Sequence, residues 1–371
     1  MFVESLKLNN FRNYQVAEIN LSSGINLITG LNAQGKTNLA EALVFLSRAK
    51  SPRTHQDKDL IKLGETNANI SAKLNKHFGQ MSFNFSLFNA QENEYRINGN
   101  ACDRVGQVFG NLICIYFCPQ DLKIVAGSPE NRRDYVDDEI MMLSEAYYNL
   151  LARYEKVLAQ RNKLLKTEKD HAKIIDTIGV WDESLASVAC LIIKTRKSFL
   201  EKLGPVADKF LKTITDGKDS LKISYVGAKG TEKDEIKKQI LKELDENLSR
   251  DMELGYTSVG PHRDDVKFEL NGLDTKIYAS QGQTRSIVLA LKLAEMEILK
   301  EELNDYPIMI FDDVFSELDN KRQQKIYEAL DGVQAIFTGT NFKFKPSGEY
   351  KQFKISGGNI KELKVKVKSG E

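Results

Sequence analysis

The first 120 residues consist of short segments whose polarity patterns predict β-strands. Hydrophobic and polar positions alternate in VESLKLNNF, NANISAKLN and QMSFNFSLFN, and the apolar runs INLIT and LICIYFC end at Gly30 and Pro119. EYRINGNAC contains an Asn-Gly pair, which is typical of a hairpin turn. The pattern therefore predicts a strand-rich region before residue 128.

Helical periodicity replaces this pattern after the Ser-Pro pair at 128–129, which is typical of a helix start. Apolar residues then recur at steps of three and four, which predicts amphipathic helices. These helices are predicted over 143–165, over 174–203 with its end at the Gly-Pro pair 204–205, and over 232–255.

Strand signals return in KFELNG, PIMIF and VQAIFTGT, with a long helical pattern in QTRSIVLALKLAEMEILKEEL and another helix before VQAIFTGT. The lysine-rich end of the chain alternates in polarity, which predicts edge strands and a solvated terminus. The predicted organisation is a discontinuous α/β head of residues 1–127 and 251–371, with an α-helical arm of residues 128–250 inserted in it.

Composition changes this picture mainly by what it excludes. The 371 residues carry 53 Lys and Arg against 52 Asp and Glu, a net charge of +1, so a nucleic-acid surface must be a local patch. No signal peptide is visible and no apolar run approaches about 18 residues, so we expect a cytoplasmic protein without membrane partners. The four cysteines have no second pair at ligand spacing, which favours buried thiols over a metal site.

Residues 30–37, GLNAQGKT, match the phosphate-loop pattern G-x-x-x-x-G-K-[ST] between a predicted strand and a predicted helix. Glycines let backbone N–H groups converge on phosphate oxygens, and the helix start adds its positive dipole end. We expect Lys36 to neutralise phosphate charge of ATP and the Thr37 hydroxyl to bind Mg²⁺. The alternative is a glycine-bounded turn with a solvated lysine.

Two carboxylates, Asp312 and Asp313, follow the apolar run that ends at Phe311. Ligands bind at the carboxyl ends of strands in open α/β sheets. We expect Asp312 to belong to the Mg²⁺ shell and Asp313 to orient or deprotonate the attacking water. An acidic strand-to-loop turn is the alternative. The long separation of Lys36 from Asp312 implies that the arm is inserted within one ATPase head.

A Ser-Gln-Gly-Gln segment starts the long helix before this strand, and its hydroxyl and amide groups could hold an anion. A simple N-cap by Ser280 is the alternative interpretation.

The order of phosphate loop, insertion, Ser-x-Gly-Gln helix, Asp-Asp and SELD closely resembles the RecF family of bacterial recombination mediators, which is related to SMC and ABC ATPase heads. The resemblance runs over essentially the whole chain, and it implies an ABC/SMC-like phosphate-loop ATPase head with an inserted helical arm. An SMC protein would place hundreds of coiled-coil residues in the insertion, whereas this chain has about 120 without sustained heptads. The resemblance to the RecF family rests on the segments LKLNNFRNY, GLNAQGKTNLAEAL, KSPRT, FCPQDLKIVAGSPENRRDYVD, LARYEKVLAQRNKLLK, VGPHRDD, SQGQTRSIVLALKLAE and DDVFSELD.

The resemblance also implies roles for individual residues. A signature motif of Ser280, Gly282 and Gln283 would reach the γ-phosphate of a second copy, so that ATP joins two heads. Gln120 would sense Mg²⁺ and the γ-phosphate, residues 316–319 would form the D-loop, and Thr340 lies in the switch-histidine region. The residues implied to bind the nucleotide are the signature motif with Arg12, Asn13, Gly30, Asn32, Ala33, Gln34, Gly35, Lys36, Thr37 and Asn38. The residues implied to act in catalysis are Lys36, Gln120 and Asp313. The residues implied to bind the metal are Thr37, Gln120 and Asp312.

The chain departs from the pattern that it resembles at positions that bear on nucleotide binding and on the rate of hydrolysis. Ala33 and Gln34 stand where the phosphate loop usually has small residues or glycine. Asp313 replaces the glutamate of ABC ATPases and is one methylene shorter, and no switch histidine is visible. We therefore expect a weak, DNA-stimulated ATPase that acts as a switch rather than a motor.

Most candidate DNA contacts lie on the predicted arm, and one more, Arg263, lies in the predicted head. The segment 153–173 carries an excess of Lys and Arg, and a helix would place Arg153, Lys156, Lys163 and Lys166 away from its apolar face. A solvated charged face is the alternative. In GPHRDD, residues 260–265, one histidine with two consecutive carboxylates makes a weak metal set, and a structural or DNA-facing cluster that includes Arg263 is favoured.

These features favour an ATP-gated DNA clamp, in which ATP joins two heads, duplex DNA is held by the dimer, and hydrolysis releases it. The resemblance implies action at single-strand gaps in the nucleoid and recombinase loading with a RecR-type partner. The alternatives are a general SMC-like ATPase, an ABC-type ATPase subunit, and a nucleotide-dependent scaffold without turnover. The arm argues against a transporter subunit, and the Asp312–Asp313 pair argues against the scaffold.

Overall fold

The computed structural model describes residues 1–315, 318–342, 346 and 350–363. The chain forms two compact units, one of Met1–Asp121 with Leu289–Glu371 and one of Leu122–Val288. In chain order the strands are β1 (Phe2–Phe11), β2 (Tyr14–Asn20), β3 (Ile25–Thr29), β4 (Asn67–Lys76), β5 (Gly79–Phe88), β6 (Glu94–Ile97), β7 (Asn100–Ala101), β8 (Cys114–Phe117), β9 (Leu221–Val226), β10 (Asp265–Leu270), β11 (Leu273–Asp274), β12 (Ile308–Asp312), β13 (Ala335–Gly339), β14 (Tyr350–Ser356) and β15 (Asn359–Leu363). The helices are α1 (Lys36–Arg48), α2 (Leu122–Ala126), α3 (Pro129–Leu143), α4 (Glu145–Thr167), α5 (His171–Thr215), α6 (Lys233–Glu246), α7 (Leu248–Leu254), α8 (Thr275–Tyr278), α9 (Gln281–Leu303) and α10 (Asn320–Ala329).

The first unit contains a sheet with the strand order β15-β14-β3-β13-β12-β8, parallel except for the edge strand β15. Its strands β3, β13, β12 and β8 are buried along their whole length. Continuous apolar runs such as IMIF form such strands because both faces of the sheet are covered. Parallel strands end at one edge, so the segments after Thr29, Phe117, Asp312 and Gly339 leave the sheet on the same side.

A second, antiparallel sheet of this unit has the order β2-β1-β4-β5-β6-β7. Helix α1 contacts β8, β12 and β13 of the first sheet, and its Phe45 ring lies 6.3 Å from the Phe85 ring of β5. Buried residues cover most of α1, from Leu39 to Ser47. The helix that follows the phosphate loop is therefore packed between two sheets, which fixes the position of its first turn.

The second unit is built around α5, a helix of 45 residues that packs against α4, α6 and β9. The small antiparallel sheet β11-β10-β9 completes this unit. Its buried ion pairs include Arg132 with Asp265 and Arg196 with Asp137, where the arginines are almost fully buried. These pairs join α3 to β10 and to α5.

The predicted helix end at Gly204 and Pro205 is wrong, because α5 continues through Pro205 to Thr215. Pro205 cannot donate a hydrogen bond to the carbonyl four residues earlier, a cost of about 3 kcal/mol in an exposed helix. Here residues on both sides of it are buried against the rest of the unit, including Leu203 and Ala207. The strand β9 was also missed within the predicted all-helical arm.

The two units divide the chain at residues other than the predicted domain ends. The second unit extends beyond the predicted arm of 128–250, and it includes α2, β10, β11, α8 and the start of α9. The domain limits of the sequence analysis stay a prediction. Among the described residues, no helix is both long and apolar enough to cross a bilayer.

Candidate nucleotide site

The loop between β3 and α1 adopts a backbone that depends on its two glycines. Gly35 has a φ of +118°, and a Cβ atom there would lie 2.8 Å from the Tyr14 hydroxyl oxygen. A Cβ atom at Gly30 would lie 2.5 Å from the Ile355 carbonyl oxygen. Ala33 also has a positive φ of +62°, a region that alanine rarely adopts. Larger side chains at the two glycines would displace the loop.

Lys36 is the first residue of α1 and is only 3% exposed. Its Nζ atom donates to the carbonyl oxygens of Gly30 and Leu31, each at 3.0 Å. Among the described residues, no carboxylate forms an ion pair with it. The ammonium is therefore held at the loop by neutral groups, which suits it to bind an anion there.

Asn13 joins the loop to the first turn of α1. Its Nδ2 atom donates to the Gln34 carbonyl oxygen at 2.9 Å, and its Oδ1 atom accepts from Asn38 Nδ2 at 2.8 Å. The Gln34 Oε1 atom accepts from the Gly357 backbone N–H at 2.6 Å. The structure thus brings together Asn13, Gln34 and Asn38, whereas Asn32 lies exposed on the loop.

Arg12 contacts a buried carboxylate rather than the loop itself. Its Nε and Nη2 atoms donate to the two oxygens of Glu41 at 2.9 and 2.6 Å, and Nη1 donates to the Asp59 carbonyl oxygen at 2.7 Å. Glu41 is fully buried. A direct role for Arg12 at the nucleotide stays a prediction.

Arg53, from the KSPRT segment, was not predicted as a site residue. Its Nη1 atom donates to Asn38 Oδ1 at 2.8 Å and to Glu41 Oε2 at 3.1 Å. Its side chain is 41% exposed, so a guanidinium lies beside the first turn of α1. The only signal in the sequence was the match of KSPRT to the family pattern, which assigned no role.

Asp312 ends β12 and is 3% exposed. Its Oδ1 atom accepts hydrogen bonds from the Thr37 hydroxyl at 3.1 Å and from the Thr338 hydroxyl, and its Oδ2 atom accepts from the Tyr116 hydroxyl at 2.8 Å. Burial raises the pKa of the Asp312 carboxyl, and the three hydroxyl groups only partly oppose this. The structure therefore places the last residue of the phosphate loop in direct contact with the predicted metal ligand.

The Thr37–Asp312 pair fits Mg²⁺ by the chemistry of its donors, since hard oxygen ligands on one or two side chains are typical of a nucleotide-bound Mg²⁺. Asp312 has no cationic partner among the described residues, and a divalent ion would compensate its buried charge. The described residues contain no cluster of three or more His, Cys, Asp or Glu that could hold a metal alone. The metal would therefore depend on phosphate and water for its other ligands.

Asp313 follows Asp312 in the left-handed backbone region, with a φ of +57°. Its backbone N–H group lies 3.2 Å from both the carbonyl oxygen and the Oγ1 atom of Thr338. Gln120 is exposed on a turn that follows β8, the strand next to β12. Thr340 is exposed just after β13. Ser316 and Glu317 of the predicted D-loop lie outside the described residues.

The signature residues belong to the second unit and cap α9. The Ser280 backbone N–H donates to Gln283 Oε1 at 3.0 Å, and the Gln283 backbone N–H donates to Ser280 Oγ at 3.2 Å. These two hydrogen bonds form a capping box, so Ser280 does act as the N-cap of α9, which was the alternative interpretation of this segment. A Cβ atom at Gly282 would meet open space. The motif is therefore accessible to a ligand, and its predicted role is compatible with the cap.

The basic segment of α4 divides into exposed and buried residues. Arg153, Lys156, Lys163 and Lys166 are all exposed, as predicted. Arg161 is fully buried instead, with ion pairs to Asp182 at 2.6 Å and to Asp251 at 2.7 Å. The excess of positive charge on the solvent face of this helix is thus smaller than its sequence indicates.

The residues of GPHRDD are occupied by protein contacts rather than placed around a metal. His262 Nε2 donates to the Thr257 carbonyl oxygen at 3.1 Å, so Nδ1 is the nitrogen that accepts from the Tyr154 hydroxyl at 2.7 Å. Burial lowers the pKa of His262 to about 4 and raises the pKa of Asp264 to about 6. Asp265 pairs with Arg132 at 2.6 Å. The segment is therefore a structural cluster, with Arg263 exposed beside it.

Known proteins resemble this chain over nearly its whole length. Residues 2–338 match the family model of the RecF/RecN/SMC N terminal domain. The chain is 41% identical over 344 residues to the DNA replication and repair protein RecF of Alkaliphilus oremlandii, covering 92% of this chain and 93% of that one. It is 38% identical over 368 residues to the protein of the same name from Clostridium tetani, covering 98% and 100%. A solved structure of the recombination mediator protein RecF-ATPrS in the RecFOR pathway matches with a TM-score of 0.90 at 34% identity, over 98% of both chains. These matches confirm the predicted ATPase-head fold.

Proposed function

The chain belongs to the RecF family, within the wider group of RecF, RecN and SMC proteins, and from this we propose that it is an ATP-dependent DNA-binding protein of recombinational repair. The observation that carries the proposal is the contact of the Thr37 hydroxyl with the buried Asp312 carboxylate, beside the cation of Lys36. Those three groups are what a phosphate loop needs to hold Mg²⁺ and a triphosphate. A 34% identical RecF has been solved with ATP, which supports the same ligand here.

In the proposed reaction, Lys36 exchanges its two loop carbonyls for phosphate oxygens, and Thr37 and Asp312 hold the ion. Mg²⁺ would draw negative charge from the phosphates when bound. Asp313 then orients a water molecule or takes its proton, with Gln120 as the second polar group at this edge of the sheet. Hydrolysis is slow because the short Asp313 side chain reaches less far than a glutamate would.

ATP also joins two copies of the chain in this proposal. Ser280, Gly282 and Gln283 of one copy contact the γ-phosphate held by the other, so the dimer exists only with ATP. Support comes from the exposed position of Ser280 and the open space at Gly282. Duplex DNA with a gap is held by the dimer, a RecR-type protein joins it, and hydrolysis releases the DNA.

The second candidate is a general SMC-like ATPase, or an ABC-type ATPase subunit, that does not act at DNA gaps. The shared SMC N-terminal family is the observation that keeps it open. The two candidates differ in the DNA that they retain. A gap-directed protein should hold a gapped duplex better than a continuous one, and a general clamp should not distinguish them.

The test is to mix the protein with Mg²⁺, ATP and gapped duplex, and to measure particle mass and retained DNA together. We expect ATP to double the protein mass and the DNA to stay with the doubled species, whereas ADP does neither. Lys36→Ala serves as the control with weakened ATP binding, at an ATP concentration that saturates only the wild type. DNA retention without ATP or without dimerisation would contradict the proposed clamp, and equal retention of continuous duplex would favour the second candidate.

A further inference from the structure

Tyr256 and Arg263 form a stacked pair at the surface of the unit Leu122–Val288. The Arg263 guanidinium carbon lies 4.9 Å from the centre of the Tyr256 ring. Tyr256 is 40% exposed, and Arg263 is exposed as well. The Nε and Nη2 atoms of Arg263 each lie 3.4 Å from the Thr257 carbonyl oxygen. The nucleotide site described above uses neither side chain.

The backbone that carries this pair is held by buried polar contacts. Thr257 is fully buried, and both its backbone N–H and its hydroxyl donate to Asn162 Oδ1 at 2.7 Å. The Thr257 carbonyl oxygen accepts from His262 Nε2, whose ring is fixed on its other side by the Tyr154 hydroxyl. Preorganised groups lose little freedom when they bind, so a fixed surface pair favours a binding role.

The turn between the two side chains is fixed as well. Gly260 has a φ of +122°, and a Cβ atom there would lie 2.6 Å from the Tyr154 hydroxyl oxygen, so only glycine fits. The Pro261 carbonyl oxygen accepts a hydrogen bond from Arg196 Nη1 at 2.6 Å. The buried arginine thus anchors the turn beside the exposed one.

Positive charge of α4 adjoins the pair. Gly255 directly precedes Tyr256, and a Cβ atom at Gly255 would lie 3.9 Å from the Cα and Cβ atoms of Lys166. The side chain of Lys166 is exposed, and so is that of Lys163 one turn earlier. A phosphate next to the pair would therefore find a cation within the same surface.

We propose that the Tyr256–Arg263 pair is a stacking platform for an unpaired nucleobase, with Lys166 contacting the neighbouring phosphate. Bases within a duplex present only their edges, whereas a base in a gap or at a strand junction exposes a flat face. Aromatic rings and guanidinium planes bind such faces without regard to base identity. The platform rests on the proposed DNA-binding function and adds the part of the DNA that the protein recognises.

The test uses the full chain with Mg²⁺, ATP and two DNAs, a continuous duplex and the same duplex with a short gap that carries 2-aminopurine. Tyr256→Leu removes the ring, and Tyr256→Phe is the matched control that keeps it. One stacked base contributes a factor of about 5 to 150 in affinity. We expect wild type and Tyr256→Phe to quench the 2-aminopurine and to prefer the gapped DNA. Tyr256→Leu should not quench the 2-aminopurine, and its affinity for the gapped DNA should fall by this factor. Its affinity for the continuous duplex should stay unchanged.

Arg263→Lys gives a second, independent variant, because it keeps the charge and loses the plane. We expect it to weaken the preference for gapped DNA while it retains binding to the duplex. The platform is refuted if Tyr256→Leu still quenches and prefers the gap, if its affinity for both DNAs falls equally, or if wild type shows no preference. In the first two cases, wild-type binding that depends on ATP and prefers the gap leaves the proposed function intact. In the third case, ATP-dependent binding of both DNAs without preference favours the general SMC-like candidate instead. Absence of that binding in wild type would remove both.

Discussion

At the scale of single residues, Lys36 carries the strongest expectation. Lys36→Ala removes a buried ammonium that we expect to bind phosphate oxygens, and each such charged hydrogen bond stabilises a complex by about 1.5–3 kcal/mol. ATP affinity should fall about 10- to 100-fold, measured by calorimetric titration. Lys218→Ala, at an exposed lysine of the other unit, is the matched control. Unchanged affinity in Lys36→Ala would make the phosphate-loop interpretation wrong.

Asp313 permits a cleaner separation of binding from chemistry. Asparagine adopts the left-handed backbone of this position at least as readily as aspartate, so Asp313→Asn should keep the loop's shape. Its amide cannot accept the proton of the attacking water, and loss of a general base lowers rates about 10²- to 10⁴-fold. Single-turnover assays should show hydrolysis slowed by this factor while ATP binding and dimerisation persist. Normal turnover would transfer the role to another residue, with Gln120 the first to test.

His262 and Asp264 should make opposite contributions to the pH dependence of stability. Burial lowers the pKa of His262 to about 4. The stability that the neutral histidine contributes to the fold is therefore fully present above its ordinary pKa of about 6.5, and it is lost as pH falls from about 6.5 toward 4. The pKa of Asp264 is raised to about 6, so its contribution instead grows as pH falls through this value. The two effects overlap between pH 6 and 4 and largely cancel in the wild type.

Single variants should expose this cancellation. Between pH 7 and pH 5, the destabilisation caused by His262→Gln should shrink by about 2 kcal/mol, whereas that caused by Asp264→Asn should grow by about 1 kcal/mol. Urea unfolding followed by the fluorescence of Trp181, the single tryptophan, measures both because Trp181 lies in α5 of the same unit. If the free energy of unfolding of both variants followed the same pH profile as the wild type, neither group would have the assigned pKa shift.

At the scale of elements, the sequence predicted the strands, helices and loops that are determined by their own residues and near neighbours in the chain. The run IMIF and the phosphate loop were recognised because their pattern and spacing follow directly from burial and phosphate chemistry. The passage of α5 through Pro205 was not predictable, because packing along the whole helix compensates a local defect. The burial of Arg161 was hidden for the same reason, since its partner Asp251 is 90 residues away in the chain. Arg53 likewise reaches α1 only through the fold.

The exposed lysines of helix α4, which both the sequence and the structure place at the surface, predict a salt-dependent contact with DNA. Lys163 and Lys166 are both exposed, and each phosphate that they neutralise adds about −0.9 to the slope of log K against log salt. Lys163→Ala with Lys166→Ala should therefore flatten the slope by about 2 on duplex DNA, equally for all sequences. Lys238→Ala with Lys242→Ala on α6 is the matched control, and it should leave the slope unchanged. An unchanged slope in the α4 variant would place the duplex contacts elsewhere.

At the scale of the whole molecule, the predicted nucleotide residues are shared between the two units. The phosphate loop, Asp312 and Asp313 belong to the first unit, and Ser280 to Gln283 belong to the second. Helix α9 begins at the signature motif, and its residues from Leu289 onward belong to the first unit. With a net charge of only +1, tight DNA binding should require the doubled surface of a dimer.

The most direct measurement is therefore sedimentation of wild type and Ser280→Arg with Mg²⁺ and ATP, beside a titration of ATP into each. The arginine places a large charged side chain where the γ-phosphate of a second copy should lie, and Ser280→Ala controls for the lost helix cap, worth about 1 kcal/mol of stability. We predict that wild type dimerises with ATP, whereas Ser280→Arg still binds ATP but sediments as a monomer. A normal ATP-dependent dimer of Ser280→Arg would contradict a nucleotide site shared between two copies.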